Sequence, residues 1–193
     1  MRALNIGLSF LLGTILLLSG CATLDRINAP TLSGVPTTSA LVVVDCEAVM
    51  HGMLDLKTPQ QVVGGELRDS DGFNPIAGRA ISGLIIFSDV PPGGYYLARV
   101  NTVWQAGTTT NRHTYVIPPE KVRNLTVSTK VGDPRFLGTV TVEEIRKPSE
   151  WGVNIDLKPS KEAELKAWQK FLQIYKDSLW DKAIRQRITE IET

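Results

Sequence analysis

The side chains in this sequence best suited to bind metals, act as bases or carry covalent groups are few: two cysteines, two histidines and three methionines. Cys21 follows Leu18, Ser19 and Gly20 at the end of an apolar run that begins at Ile6. The two residues before it are small, which suits a peptidase subsite. Cys46, Met50, His51 and Met53 form a second group, a soft-ligand set of the kind that copper(I) accepts. No repeated Met or His spacing accompanies them, so the plainer expectation is that Cys46 points into a core as a small hydrophobe and that no metal is held. His51 and His113 are the two imidazole bases, and neither lies in a nucleophile motif. There is no Gly-x-Ser-x-Gly, no His-Glu-x-x-His and no phosphate-binding glycine loop. His113 sits between Arg112 and Thr114 and reads as a solvated histidine in a polar strand. The expectation is a protein without a catalytic site and without a cofactor. The run Asp69 to Pro75 has the composition of a calcium loop but not its register. With Gly72 as the sharp-turn glycine, the first and last ligands would fall on Leu67 and Gly78, so a hairpin or surface turn carried by Asp71-Gly72 and Asn74-Pro75 is expected instead.

Met1 to Gly20 carries one charge, Arg2, ahead of the apolar run. The run is shorter than the ~20 residues that cross a bilayer as a permanent helix, and it reads as the apolar part of a signal peptide. Leu18-Ser19-Gly20-Cys21 resembles the lipobox of bacterial lipoproteins. The resemblance implies that a peptidase recognises Leu18, Ser19 and Gly20 and cuts before Cys21, whose thiol carries a diacylglyceryl group and whose freed amine is acylated, typically with palmitate. An uncleaved signal anchor, or an ordinary signal peptide with an accidental cysteine, is the alternative. Each buried methylene contributes about 0.8 kcal/mol, so several chains on one residue hold a protein firmly. Ala22 stands where an Asp commonly marks retention at the inner membrane, which by the same resemblance implies an outer-membrane location facing the periplasm. An acylated Cys21 could not also pair with Cys46.

Removing the first 20 of 193 residues leaves 173, enough for one sizeable core, with 20 basic and 20 acidic residues. Such a balance offers no electrostatic footprint for nucleic acid. The 42% hydrophobic and 21% charged composition is that of a folded globular domain.

The elements follow in order. Residues 21 to 39, rich in Pro, Gly and hydroxyl side chains, read as the acylated cysteine and a flexible tether with a reach of roughly 25 Å. Leu32 and Val35 also allow part of it to lie along the domain. Leu41 to Val49 alternates as a strand, with Val42, Val44, Cys46 and Ala48 on one face and Val43, Asp45 and Glu47 on the other. Residues 57 to 79 read as polar and turn-rich. From Gly83 to Trp104 a strand runs into Pro91-Pro92-Gly93-Gly94 and resumes, which predicts an antiparallel pair joined by a type II turn. Further strands are expected at Arg112 to Ile117, Asn124 to Val131, Phe136 to Val142 and Trp151 to Leu157. Tyr95, Leu97 and Val103 fall on one face of their strand and Tyr96, Ala98, Val100 and Trp104 on the other, so the second face needs a cover.

The set Phe87, Pro92, Gly93, Tyr95 and Leu97 resembles transthyretin-like and carboxypeptidase-regulatory-like β-sandwiches, and Phe136 to Val142 is similar to a late strand of envelope lipoproteins with such a domain. The expected fold is mainly β with α: an antiparallel β-sandwich over residues 40–158, then an amphipathic helical pair over 159–193. Ser160 is a candidate cap for a helix with Leu165, Trp168, Phe171, Leu172 and Tyr175 on one face. Asp177 or Ser178 is expected to start a second, with Ser178 and Asp181 as a capping box and Trp180, Ile184, Ile188 and Ile191 as its apolar face. These rings either cover the sheet or, through Trp168, Phe171 and Trp180, form a docking surface.

The function expected from all this is that of a non-catalytic interaction module held at the outer membrane by acyl chains, with an envelope protein as partner. Two alternatives are an accessory subunit of an envelope-spanning assembly, similar to the lipoproteins of type VI secretion, and a carrier of a lipid or small apolar ligand.

Overall fold

The computed structural model describes residues 29–52, 57–106, 108–122, 126–147 and 150–193. They form nine strands and three helices: β1 (Ala40–His51), β2 (Lys57–Asp69), β3 (Pro75–Ile81), β4 (Leu84–Val90), β5 (Gly93–Ala106), β6 (Thr109–Val116), α1 (Pro119–Val122), β7 (Thr126–Thr129), β8 (Pro134–Lys147), β9 (Glu150–Lys158), α2 (Lys161–Ile174) and α3 (Asp181–Glu192). The fold is therefore mixed, with strands first and a helical pair at the C-terminal end.

At its centre four strands close on themselves. β1 and β2 start as a hairpin, with Ala48 opposite Gln60 and His51 opposite Lys57, and then splay apart. The β3–β4 hairpin fills the fork, with β3 on β2 and β4 on the first half of β1. Its tip docks where Cys46 N donates to Gly83 O at 2.8 Å. Beyond β2 the sheet continues through β5 to β6, with β7 also on β5; beyond β1 it continues through β8 to β9. Pairing is antiparallel except between β1 and β8, which run parallel from Leu41–Pro134 to His51–Ile145. The expectation of a wholly antiparallel sheet is corrected there.

The alternation of β1 puts it between two cores. Val42, Val44, Cys46 and Ala48 face a first core shared with Phe87, Leu97 and Val140, as the spacing predicts. Leu41 and Val43 face a second core with Leu84 and Ile86 of β4. The helices cover that second face. Trp168, Phe171, Trp180 and Ile184 are all fully buried in it. Burying one such side chain contributes about 1.5–3 kcal/mol, which is what holds the helical pair on the sheet. Ser160 caps α2 by accepting a hydrogen bond from Ala163 N at 3.1 Å. Arg187 ties α3 back to α2 through Glu164, with Nε 2.8 Å from Oε1.

Several expectations are corrected. Residues 57 to 79 are not a polar turn region but hold β2 and β3. Gly64 and Gly78 are required by close packing: a Cβ on Gly64 would lie 2.5 Å from Gly78 O, and one on Gly78 would lie 2.5 Å from the Phe87 ring. The expected turn at Asp71-Gly72 and Asn74-Pro75 is there, joining β2 and β3 as a hairpin, and in it Asp69 Oδ1 accepts from Phe73 N at 2.9 Å and its other carboxylate oxygen accepts from the Asn74 amide. Pro91-Pro92 does not join a hairpin, because β4 pairs with β1 and β3 while β5 pairs with β2, β6 and β7. Instead Thr129 Oγ1 holds the crossing, 2.9 Å from Pro91 O.

In β5 a register shift opposite Glu66/Leu67 switches the alternation, so Val100 joins Tyr95 and Leu97 in the first core. The helices therefore cover β1 and β4 rather than an outer face of β5. The second helix starts at Asp181, later than Asp177 or Ser178. Asp177 takes a φ of 63° to reverse the chain, and Ser178 caps nothing, since α3 follows Trp180 without a side-chain cap. The tether reading ends at Ala29, and residues 21–28 lie outside the described residues. From there Ala29 and Leu32 pack against the second core, Gly34 O accepts from Trp180 Nε1 at 3.2 Å, and Ser33 N donates to Ser88 Oγ at 3.1 Å.

Candidate functional site

The lipobox-like residues Leu18, Ser19, Gly20 and Cys21 lie outside the described residues. Trp168, Phe171 and Trp180 are described and have no exposed surface, so the docking alternative for these three rings is corrected: they are core. Cys46 is 2% exposed, and burial, followed by the charges of Asp45 and Glu47, pushes its thiol up to about 12. A thiol so placed is inert at neutral pH. Cys46 and Met50 share the inward face of β1, four residues apart, and His51 falls on the opposite face by alternation. The soft-ligand set is therefore not brought together, and Met53 lies outside the described residues.

A group of polar side chains that the sequence reading did not assemble occupies one end of the first core. β6 contributes His113 and Tyr115, β8 contributes Glu144 and Arg146, β2 contributes Gln60 and β5 contributes Thr102. Glu144 is 3% exposed and is the hub. Its Oε2 accepts from Tyr115 OH at 2.7 Å and Gln60 Nε2 at 3.2 Å and lies 3.1 Å from His113 Nδ1. Its Oε1 accepts from Arg146 Nε at 2.6 Å. Thr102 Oγ1 donates to Gln60 Oε1 at 2.5 Å, which fixes the amide so that its nitrogen faces the carboxylate.

The electrostatics follow from those contacts. Burial opposes ionisation of Glu144, but the hydrogen bonds from Tyr115 and Arg146 and the charges of Arg146 and His113 outweigh it and hold the carboxyl below its ordinary value. Burial, with the hydrogen bond to Glu144 next, pushes the Tyr115 phenol up to about 12. Arg146 Nη2 lies 3.3 Å from His113 Nε2. The same Nη2 lies 3.5 Å from His113 Nδ1, so the guanidinium sits beside the ring as a whole rather than at one nitrogen. His113 is thus not the solvated histidine expected: it is one-fifth exposed and belongs to a clasp between β6 and β8. The arrangement ties β6, an edge of the curled sheet, to β8, one strand in from the other edge, across the interior.

Gln60 also borders a cavity of about 620 Å³ at the fork where β1 and β2 part, lined by Cys46, Ala48, Gln60, Val62, Ala80 and Ser82. No sequence signal marks either feature, since six polar residues on four strands meet only once the sheet curls. Compared with protein families, with curated proteins and with solved structures, the chain matches none.

Proposed function

We propose that this chain is an acyl-anchored lipoprotein of the outer membrane that holds a non-catalytic interaction domain on the periplasmic side. The observation that carries the reading is Leu18-Ser19-Gly20-Cys21 at the close of an apolar run, followed within eight residues by chain packed onto a folded domain. A transthyretin-like relationship for that domain rests on the sequence resemblance carried by Phe87, Tyr95 and Leu97, which share the first core. Cells given a labelled fatty acid should mark the protein at Cys21, and Cys21→Ser should abolish both the label and membrane retention. A Cys21→Ser chain processed and retained as before would overturn the proposal.

The cavity at the fork supports a second reading, carriage of a small ligand, because its volume falls in the range of ordinary ligand pockets. Native mass spectrometry after gentle extraction separates the two: a carrier arrives with added ligand mass, and an interaction module arrives with a protein partner.

A further inference from the structure

One end of the molecule gathers features that neither core accounts for. β1 and β8 start there, since Leu41 pairs with Pro134, and β4 ends there, since Ala40 pairs with Val90. β2 ends and β3 and β5 begin at the same end, through the pairs Arg68–Pro75 and Asp69–Tyr95. The α2–α3 connection reaches it as well, because Tyr175 lines a small cleft together with Pro30, Ile76 and Ser88. Three loops at this end expose large apolar side chains to water: Phe73 at 82%, Leu179 at 71% and Val131 at 47%. Leu179 shares a hollow of about 450 Å³ with Ala29, Pro30 and Leu32. The β7–β8 loop that carries Val131 is fastened to the same segment, with Gly132 N donating to Ser39 O at 2.9 Å.

Ala29 is also where the proposed anchor joins the domain. Seven residues, 22–28, separate it from Cys21. Fully extended, that stretch spans at most about 28 Å, so the end bearing Ala29 cannot leave the lipid by more than one domain width. We infer that this end of the domain sits on the bilayer, with Phe73, Val131 and Leu179 entering the headgroup layer. The inference rests on the acyl-anchor reading and adds to it the surface that meets the lipid. Exposed apolar side chains on loops gain free energy at that depth, and the strand ends keep their backbone groups paired within the sheet. The occupant is phospholipid, because the short connector keeps this face beside the membrane whatever other partner is bound.

The test uses the full acylated chain in vesicles of phosphatidylethanolamine and phosphatidylglycerol. Single variants Phe73→Cys, Val131→Cys and Leu179→Cys carry a nitroxide, and Val63→Cys and Val153→Cys, exposed but farther along their strands from this end, serve as controls. Cys21 is acylated and Cys46 buried, so the label goes only to the new thiol. Flotation comes first, followed by the ratio of collisions with oxygen, which enters lipid, to collisions with a water-soluble nickel chelate. The ratio should be roughly threefold higher at the three loop positions than at the controls, as insertion at the interface requires. Equal ratios at all five positions on floating vesicles overturn the inference alone. So does shielding of the loop positions from both reagents, which marks contact with a second copy. A chain that fails to float overturns the anchor reading and the inference together, and the flotation step tells that case apart.

Discussion

Glu144 is the residue on which the interior's polar clasp turns, and its chemistry sets a measurable pH response. Its folded-state pKa is depressed, so the stability it contributes is present above the unfolded value of about 4.5 and is lost as pH falls through the lower folded value. At the alkaline limit the sign reverses in form but not in effect. Tyr115, raised from 10.0 to about 12, and Cys46, raised from 9.0 to about 12, contribute stability that is lost as pH rises above about 9. Equilibrium unfolding followed across pH should therefore show a plateau bounded by these two declines. Glu144→Ala strands Gln60 Nε2, while Tyr115 keeps Gln60 Oε1 as an acceptor at 3.0 Å and the half-exposed Arg146 turns to water, so it should cost about 2 kcal/mol in urea unfolding at neutral pH. The acid limb should flatten in part in the same variant, since its buried source is gone while the lowered carboxyls of Asp69, Asp156, Glu162 and Asp181, none of them buried, remain. None of this could be read in the sequence. His113 stood in a run of polar residues, and its partner comes 31 positions later from a strand that does not pair with its own.

For the individual elements, period and the Ser160 cap were informative, while glycine and the expected Ser178–Asp181 capping box were misleading. The alternation in β1 and the helical stripe in α2 could be read because each element packs on a face that its own spacing defines. β2 and β3 were hidden because Gly64, Gly65 and Gly78 resemble turn residues, whereas here they admit a neighbouring backbone or the Phe87 ring. Gly78→Ala should destabilise the domain by about 2 kcal/mol, as forced overpacking does, and the loss should shrink when Phe87→Leu is added; thermal melts of the single and double variants check this. The Pro91-Pro92 turn chemistry suggested a hairpin, but local dihedral preference cannot say which strands pair. On the helical side, Ser160→Ala removes a cap and should cost about 1 kcal/mol. Trp180→Ala should cost about 4 kcal/mol, because it opens a cavity and frees Gly34 O, and hydrogen exchange around residues 33–39 should rise with it.

For the molecule as a whole, composition and the C-terminal stripe made the mixed strand-then-helix order legible, while the closure of β1, β2, β3 and β4 was not, since it depends on one hairpin wedged into another. Removing residues 160–193 would bare Leu41, Val43, Leu84 and Ile86 together. That truncated chain should fail to give a cooperative melt. Covering the sheet is then a condition of folding rather than an addition to a finished domain.

The parallel match of β1 to β8 carries a last consequence, this time for kinetics. Its mates stand more than ninety positions apart along the chain, as with Leu41 and Pro134. A ladder of such remote mates forms only after the loss of entropy on closing a very large loop, which puts folding in the range of milliseconds to seconds. The first strand therefore stays unpaired on that edge until residues 134–145 come back to it.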